Sequence, residues 1–174
     1  MLNLIFKLLA ALNSQTAPYQ LSLGFCFGMI LGFTPFLSMH NLVVLLLVLS
    51  LRVNISAAML AWGLFEGIAY LLDQQFLQMG EYLLALPAMQ EQWTLMYNND
   101  FWRLTHFNNT MTLGSLVISL VAFIPLFFIF NLLIKRYRKH VLSWVLKSKL
   151  MQILQSNKLY LAYAKFSDYK NALS

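Results

Sequence analysis

The fold is decided by the stretch LSLGFCFGMILGFTPFLSMHNLVVLLLVLSLRVNISAAMLAWGLFEGIAYLL, residues 21–72. Few of its side chains can ionise, and only Arg52 and Glu66 are ordinarily charged at neutral pH. Because water solvates so long an apolar stretch poorly, we place it in lipid. One helix cannot accommodate it, since about 20 helical residues cross the ~30 Å hydrocarbon core of a bilayer. The stretch therefore predicts more than one helix within a membrane.

The composition of the whole chain agrees with this interpretation. Its 174 residues are 60% hydrophobic and 10% charged, and their mean hydropathy is +0.65. Soluble domains are about one-quarter charged. This length allows one compact membrane domain rather than two. The single cysteine, Cys26, lies in an apolar segment, which predicts neither a disulfide framework nor a thiolate metal site.

An interruption divides the decisive stretch into two halves. Pro35 cannot donate a backbone N–H and disfavours helical backbone at Thr34, whereas Ser38 is placed to cap a new helix. Each half holds about 13 helical residues, or roughly 20 Å, which is short of a crossing. We therefore predict a broken, re-entrant hairpin over residues 20–51 with a cytoplasmic N-terminus. A single bent crossing with an external N-terminus is the alternative.

Two later stretches are long and apolar enough to cross a membrane. One follows Arg52 and ends at Asp73, and the other ends at Lys135. The predicted fold class is an all-α integral membrane protein with a glycine-rich broken hairpin, two transmembrane helices and interfacial amphipathic helices. Its predicted segments are a helical membrane domain (1–134), comprising an interfacial helix (1–13), the hairpin (20–51), a span (53–72), an external loop (73–110) and a second span (111–134), and then a basic amphipathic tail (135–174).

Local signals predict where helices begin and end. Thr16 is expected to cap the first hairpin helix, and Asn108, Asn109 and Thr110 supply capping side chains for the last span. Pro87 divides the external loop into two short helices. In the second of these, aromatic residues recur at four-residue spacing and suit the level of the lipid headgroups. These residues are Trp93, Tyr97 and Phe101.

Charge sets the predicted orientation, because residues 135–174 carry nine Lys and Arg residues against Asp168 and the remainder of the chain carries −2. Lys and Arg collect in short cytoplasmic segments, so the tail is predicted to be cytoplasmic and the loop at 73–110 external. These charges adjoin the end of a span, which favours anionic lipid over nucleic acid as their partner. The residues expected to contact lipid headgroups are Lys135, Arg136, Arg138, Lys139, Lys147 and Lys149.

Five glycines define predicted packing faces on two helices. Gly24, Gly28 and Gly32 recur four residues apart and form a smooth stripe on one helix face. Gly63 and Gly67 have the same spacing in the first span and would let a partner helix approach closely. We interpret both sets as packing faces rather than as the lining of a pore.

A candidate polar site lies within the membrane. Glu66 is about 20 Å from the cytoplasmic side of its span, where an ionised carboxylate costs several kcal/mol unless it is paired, hydrated or protonated. The break offers Thr34, Ser38, His40 and Asn41 at comparable depth. Glu66 either hydrogen-bonds His40 or Asn41 and holds the hairpin in place, or it serves an ion or a substrate. The first, structural interpretation is the one we favour from sequence.

The sequence resembles a bacterial membrane family known as domain of unknown function 2062. The resemblance rests on GFCFGMILGFTP (24–35), LSMHNL (37–42) and LRVN (51–54). Later blocks, WTLMYN (93–98), RLTHFNNT (103–110) and LGSL (113–116), resemble a gammaproteobacterial subgroup of that family. The chain departs from the family pattern by carrying Ser38 in place of a glycine and by lacking an Asn-Pro pair near Glu66. The resemblance implies a bacterial inner-membrane protein and brings no activity with it.

Catalysis is not predicted. The chain lacks the G-x-S-x-G, phosphate-loop, dinucleotide-binding and H-E-x-x-H patterns, and no nucleophile accompanies His40 and Glu66. The three histidines are too far apart in sequence to suggest a metal site, and no cofactor is expected. We therefore expect a non-catalytic inner-membrane protein that docks to a membrane or periplasmic partner in an envelope-biogenesis or transport assembly. The alternative is a small oligomeric transporter or channel module that uses the hairpin and Glu66.

Overall fold

The computed structural model describes residue 12 and residues 16–141, with side chains through Lys139. The predicted interfacial helix at 1–13, apart from residue 12, and the tail beyond residue 141, with Lys147 and Lys149, lie outside the described residues. The described part is helical and contains no strand. Its elements are α1 (Pro18–Phe33), α2 (Met39–Ser50), α3 (Ile55–Ala85), a 3₁₀ turn (Pro87–Met89), α4 (Gln90–Tyr97), α5 (Asp100–Leu104), α6 (Thr110–Arg136) and a π-helical turn (Tyr137–Val141).

Helix α1 is the centre of the molecule, and nearly all of its residues are buried. It packs along α3 in the parallel sense, because its successive glycines meet successive turns of α3. Gly24 lies against Ala57, and Gly32 lies against Phe65. With no side chains at these positions, the two helix backbones come into direct contact.

Helix α6 packs against both α1 and α3 and runs antiparallel to α1. Near the start of α1, Leu21 shares a core cluster with Ile134 at the end of α6. Further along, the thiol of Cys26 lies 3.7 Å from the carbonyl of Phe123. Cys26 is thus a small buried residue inside a helix contact, which is the ordinary use of a lone cysteine.

Helix α2 folds back along α1 but buries only a narrow face. Val44 and Val48 join the cluster of Phe27 in α1. After α2, the backbone N–H of Asn54 donates to the carbonyl of Gln20, 3.3 Å away, so the chain returns to the level at which α1 begins. The rest of α2 presents exposed apolar side chains, namely Leu42, Val43, Leu45, Leu46, Leu47 and Leu49.

Helix α3 does not end at Asp73, where the first span is predicted to end, but continues without interruption to Ala85. Aspartate lowers helix propensity only slightly, so its charge does not end a helix. The helix ends instead where Leu86 adopts extended backbone before Pro87. Only α4 and α5 follow as separate short helices.

The extension of α3 crosses the start of α6 at a second glycine contact. A Cβ added at Gly80 would overlap the carbonyl of Thr110, and one added at Gly114 would overlap the carbonyl of Phe76. The side chain of Phe76 is fully buried beside this crossing. The last part of α3 and the start of α6 are therefore in direct backbone contact.

Helix caps agree with the sequence at one site and differ at another. The side chain of Asn109 accepts a hydrogen bond from the N–H of Thr112 and caps α6, as expected. Thr16 does not cap α1. Ala17 occupies the N-cap position, and the Thr16 hydroxyl accepts a 3.2 Å hydrogen bond from the side chain of Asn54.

Both long helices meet the requirements of a membrane span. Ile55–Ala85 and Thr110–Lys139 are long and apolar enough to cross a bilayer, and Pro18–Phe33 and Met39–Ser50 are shorter apolar helices. The described part is thus all-helical and contains two helices that could cross a membrane by length and composition.

Candidate functional site

The break after α1 is stabilised by a small buried polar cluster. Thr34 has extended backbone, as expected of a residue before proline. Its hydroxyl lies 2.7 Å from the carbonyl of Ile30 and 2.8 Å from the side-chain oxygen of Asn41. The amide of Asn41 donates to the carbonyl of Pro35 at 3.0 Å. Thr34 and Asn41 therefore add hydrogen bonds to backbone carbonyls on either side of the break.

Ser38 starts α2 without the predicted capping bond. Helix α2 begins at Met39 with Ser38 at its N-cap, but the serine side chain accepts no hydrogen bond from the helix. Its hydroxyl instead donates to the carbonyl of Pro35 at 2.5 Å. Pro35 lies three residues earlier, so the serine reaches back to a carbonyl of the break.

A crevice of about 260 Å³ opens between the tip of the hairpin and α3. Its hairpin wall runs from residue 31 to residue 36, and one of its residues, Phe36, stacks on Trp62 with ring centroids 5.2 Å apart. Its α3 wall carries Glu66, Tyr70 and Asp73. Their spacing of four and three residues puts these side chains on one face of α3.

The predicted polar residues form two adjoining groups. Glu66 lines the crevice, and Ser38 and Asn41 belong to the break. Thr34 belongs to both, because it lines the crevice and its hydroxyl bonds the side chain of Asn41. His40 belongs to neither, and its Nε2 is buried without a hydrogen-bond partner among the described residues.

The structural interpretation of Glu66 requires a hydrogen bond to His40 or Asn41. Glu66 is exposed. Within residues 16–141 its carboxylate takes part in no hydrogen bond or ion pair. The side chain of Asn41 is already engaged with Thr34 and Pro35. Glu66 thus faces the crevice rather than fastening the hairpin.

The two predicted glycine faces differ in what covers them. A Cβ at Gly28 would overlap the carbonyl of Ala58, so the α1 stripe is a packing face. Gly63 and Gly67 lie on the exposed side of α3, where an added Cβ meets nothing within 4 Å. The close contacts that sequence reasoning missed are at Gly80 and Gly114. Gly80 stands among polar residues, which hid its role, and only the tertiary crossing pairs it with Gly114.

Arg138, which is predicted to contact lipid headgroups, also makes hydrogen bonds within the chain. The Arg138 guanidinium donates to the carbonyls of Leu12 at 3.1 Å and Thr16 at 2.8 Å. Arg138 therefore links the last turns of the chain after α6 to the segment that precedes α1. Lys135 and Lys139 have exposed side chains at the same end.

Acidic side chains collect at the other end. Apart from Glu66, which lies in the first half of α3, those of the described residues lie in the second half of α3 or in the loop after it, and the only Lys or Arg between residues 53 and 134 is Arg103. Arg103 pairs with Asp100 at 3.3 Å. No group of three or more His, Cys, Asp or Glu side chains in the described part could hold a metal ion. The acidic residues are Glu66, Asp73, Glu81, Glu91 and Asp100.

These features define an all-helical protein with two helices of membrane-spanning length around a buried, broken helix. The chain belongs to the bacterial family described as "Uncharacterized protein conserved in bacteria (DUF2062)", which matches residues 4–143. An uncharacterized protein of Treponema pallidum (strain Nichols) is 23% identical over 141 residues, covering 81% of this chain and 87% of that protein. No solved structure matches the chain.

Proposed function

We propose that the chain is a multi-pass protein of the bacterial inner membrane, with α3 and α6 as its spans and a cytoplasmic C-terminus. The distribution of charge supports this orientation. Arg52 precedes α3 at the end where α1 begins, and Lys135 and Lys139 lie at the same end. The acidic residues other than Glu66 lie toward the opposite end, in the second half of α3 and the loop after it. Lys and Arg are enriched in short cytoplasmic loops, so the basic end is the cytoplasmic one in this proposal.

The helices α1 and α2 form a re-entrant hairpin in this proposal. The return of the chain from α2 to the level of Gln20 supports it, because one bent crossing would separate these ends. The tip contacts α3 at Trp62 and Glu66, about 10 and 17 Å from the start of that helix, which is inside a ~30 Å core. Broken backbone is tolerated there because Thr34 and Asn41 satisfy its polar groups.

Within that membrane arrangement the protein is a non-catalytic docking subunit. The observation that carries this conclusion is the unoccupied surface at Gly63 and Gly67, which we call the open glycine face. Every other glycine of the chain lies in tight contact with a neighbouring helix, whereas these two meet nothing within 4 Å. A G-x-x-x-G pair in an apolar helix lets a second helix approach closely in lipid. The partner is a transmembrane helix of another subunit, and the exposed side of α2 offers further apolar surface.

A photo-crosslinking experiment in cells tests this role. A photoreactive amino acid at Met59, which is 64% exposed one turn before Gly63, should give a discrete adduct with a membrane protein. Replacing Gly63 and Gly67 together by Leu should abolish that adduct while the folded level stays unchanged, because nothing in the chain occupies that space. Replacing exposed Leu71 by Ile is the matched control. An adduct that survives the double substitution contradicts docking at this face, and an adduct with the mass of two chains identifies a homo-oligomer.

The crevice favours a second candidate function, a small transporter or channel module. A carboxylate facing an open crevice beside a broken helix is an arrangement seen where membrane proteins bind ions or substrates. Glu66→Gln discriminates between the candidates. If the protein is a docking subunit, the Glu66→Gln variant should form the adduct and function normally in cells. If it is a transporter, the variant should form the adduct but lose its function in cells.

A further inference from the structure

We propose that the crevice binds an organic ammonium ion, with the Glu66 carboxylate as its counter-ion. The proposal concerns ligand binding and goes beyond docking at the open glycine face. It rests on the size of the crevice, on its aromatic walls and on its uncompensated charge.

Size limits the ligand to a small group. The crevice holds about 260 Å³, close to the lower end of the roughly 300–1,000 Å³ typical of small-molecule sites. A single alkylammonium group fits this space, and a larger drug-like molecule does not.

Aromatic rings supply the second reason. Four aromatic residues line the crevice, and cations favour the faces of such rings within about 6 Å. The stacked rings of Phe36 and Trp62 form one wall, and the ring of Tyr70, which is 79% exposed, stands on the α3 side. Such a lining suits an alkylammonium ion better than a hydrated inorganic cation.

Charge supplies the third reason. Glu66 and Asp73 both line the crevice, and the described part of the chain places no Lys or Arg there. Arg103, the basic residue of the outer loop, is engaged with Asp100. A carboxylate within a low-dielectric region needs a partner, and a bound cation provides one.

The spacing of the two carboxylates argues against a chelated metal ion. Glu66 and Asp73 are seven residues apart on one helix, which is about 10 Å along its axis. Calcium requires six to eight oxygen ligands at about 2.3–2.6 Å, so these two residues do not share one ion. Glu66 therefore pairs with the ammonium group at the inner end, and Asp73 attracts it at the mouth.

Two sources supply this chemistry from the external side. One is a soluble amine, and the other is the headgroup of an aminophospholipid in the outer leaflet. Both present an alkylammonium ion to the crevice, and only the second also brings acyl chains.

Ligand-observed NMR on the full chain in phosphatidylglycerol nanodiscs tests the soluble source. Titration with choline chloride should show saturable binding to the unsubstituted protein. Glu66→Gln should weaken that binding by about tenfold or more, because a charge-assisted contact is lost. Glu81→Gln makes the same change on the same helix outside the crevice and should leave the affinity unchanged. Tyr70→Ala, at an exposed position, should also weaken binding and provides a second variant if Glu66→Gln fails to fold.

Native mass spectrometry tests the lipid source. Protein released from mixed nanodiscs should retain phosphatidylethanolamine over phosphatidylglycerol, and Glu66→Gln should remove that preference while Glu81→Gln keeps it. Binding of choline without a preference for phosphatidylethanolamine identifies a soluble amine as the ligand. A preference for phosphatidylethanolamine without choline binding identifies a lipid headgroup. Failure of the unsubstituted protein to bind either probe overturns the proposal, as does equal binding by Glu66→Gln. Neither result affects the crosslinking test of docking.

Discussion

At the scale of single residues, two side chains make the break possible. Thr34 and Asn41 are both buried and bond to each other and to backbone carbonyls around Pro35. Sequence reasoning located the break, because proline chemistry is local. It assigned Asn41 to a possible bond with Glu66 instead, because which partner a buried amide finds depends on how the chain turns after Pro35.

Asn41→Leu is predicted to destabilise the protein. The substitution removes the hydrogen bonds of Asn41 with the Thr34 hydroxyl and the Pro35 carbonyl, although these two groups keep their bonds to the Ile30 carbonyl and the Ser38 hydroxyl. A hydrogen bond contributes about 0.5–1.5 kcal/mol net, so the free energy of unfolding should fall by roughly 1–3 kcal/mol. Denaturation in detergent micelles, followed by circular dichroism, measures this loss. Val43→Leu, on the exposed side of the same helix, is the control, and equal stability of the two variants would contradict the role given to Asn41.

Glu66→Leu is predicted to leave folding intact. The carboxylate makes no hydrogen bond in the described part of the chain, so its removal leaves no partner unsatisfied. The unfolding free energy should therefore change by less than about 0.5 kcal/mol or rise, as for surface substitutions generally. The same denaturation measurement checks this outcome. A loss as large as that of Asn41→Leu would restore the interpretation in which Glu66 holds the hairpin.

At the scale of elements, glycines decide how closely helices approach. The α1 stripe was predictable, because three glycines at four-residue spacing can only fall on one helix face. At Gly63 and Gly67 the same spacing marks a face that no other described part of the chain covers. Periodicity shows that a face is smooth but not what covers it. The contact of Gly80 with Gly114 joins residues far apart in sequence, and no local pattern indicates it.

Gly80→Ala and Gly63→Ala are predicted to differ although both lie in α3. The first places a methyl group onto the Thr110 carbonyl and should lower the unfolding free energy by about 1–3 kcal/mol or more. The second meets open space and should be neutral or slightly stabilising, since alanine favours helix by up to about 1 kcal/mol. Folded yield in membranes and denaturation midpoints measure both. Equal effects would show that α3 and α6 do not cross at Gly80.

At the scale of the whole molecule, charge and helix geometry together support the proposed orientation. Both ends of the α1–α2 pair lie at the level of Arg52 and of the last turn of α6, where Arg138 joins Leu12 and Thr16. The sequence supplied the charge asymmetry but left the N-terminus undecided, because its two topologies placed the basic residues on the same side. The returning chain favours the proposed re-entrant topology, since it puts the start of α1 beside the start of α3.

The central claim is a re-entrant hairpin in the inner membrane, and a three-position reporter assay tests it most directly. Reporter domains that are active only in the cytoplasm or only in the periplasm are fused to the full chain before Met1, near Gln90 or after Ser174. We predict a cytoplasmic signal at both termini and an external signal near Gln90. An external signal before Met1, with the other two unchanged, would show that α1 and α2 cross the membrane together and would contradict the hairpin.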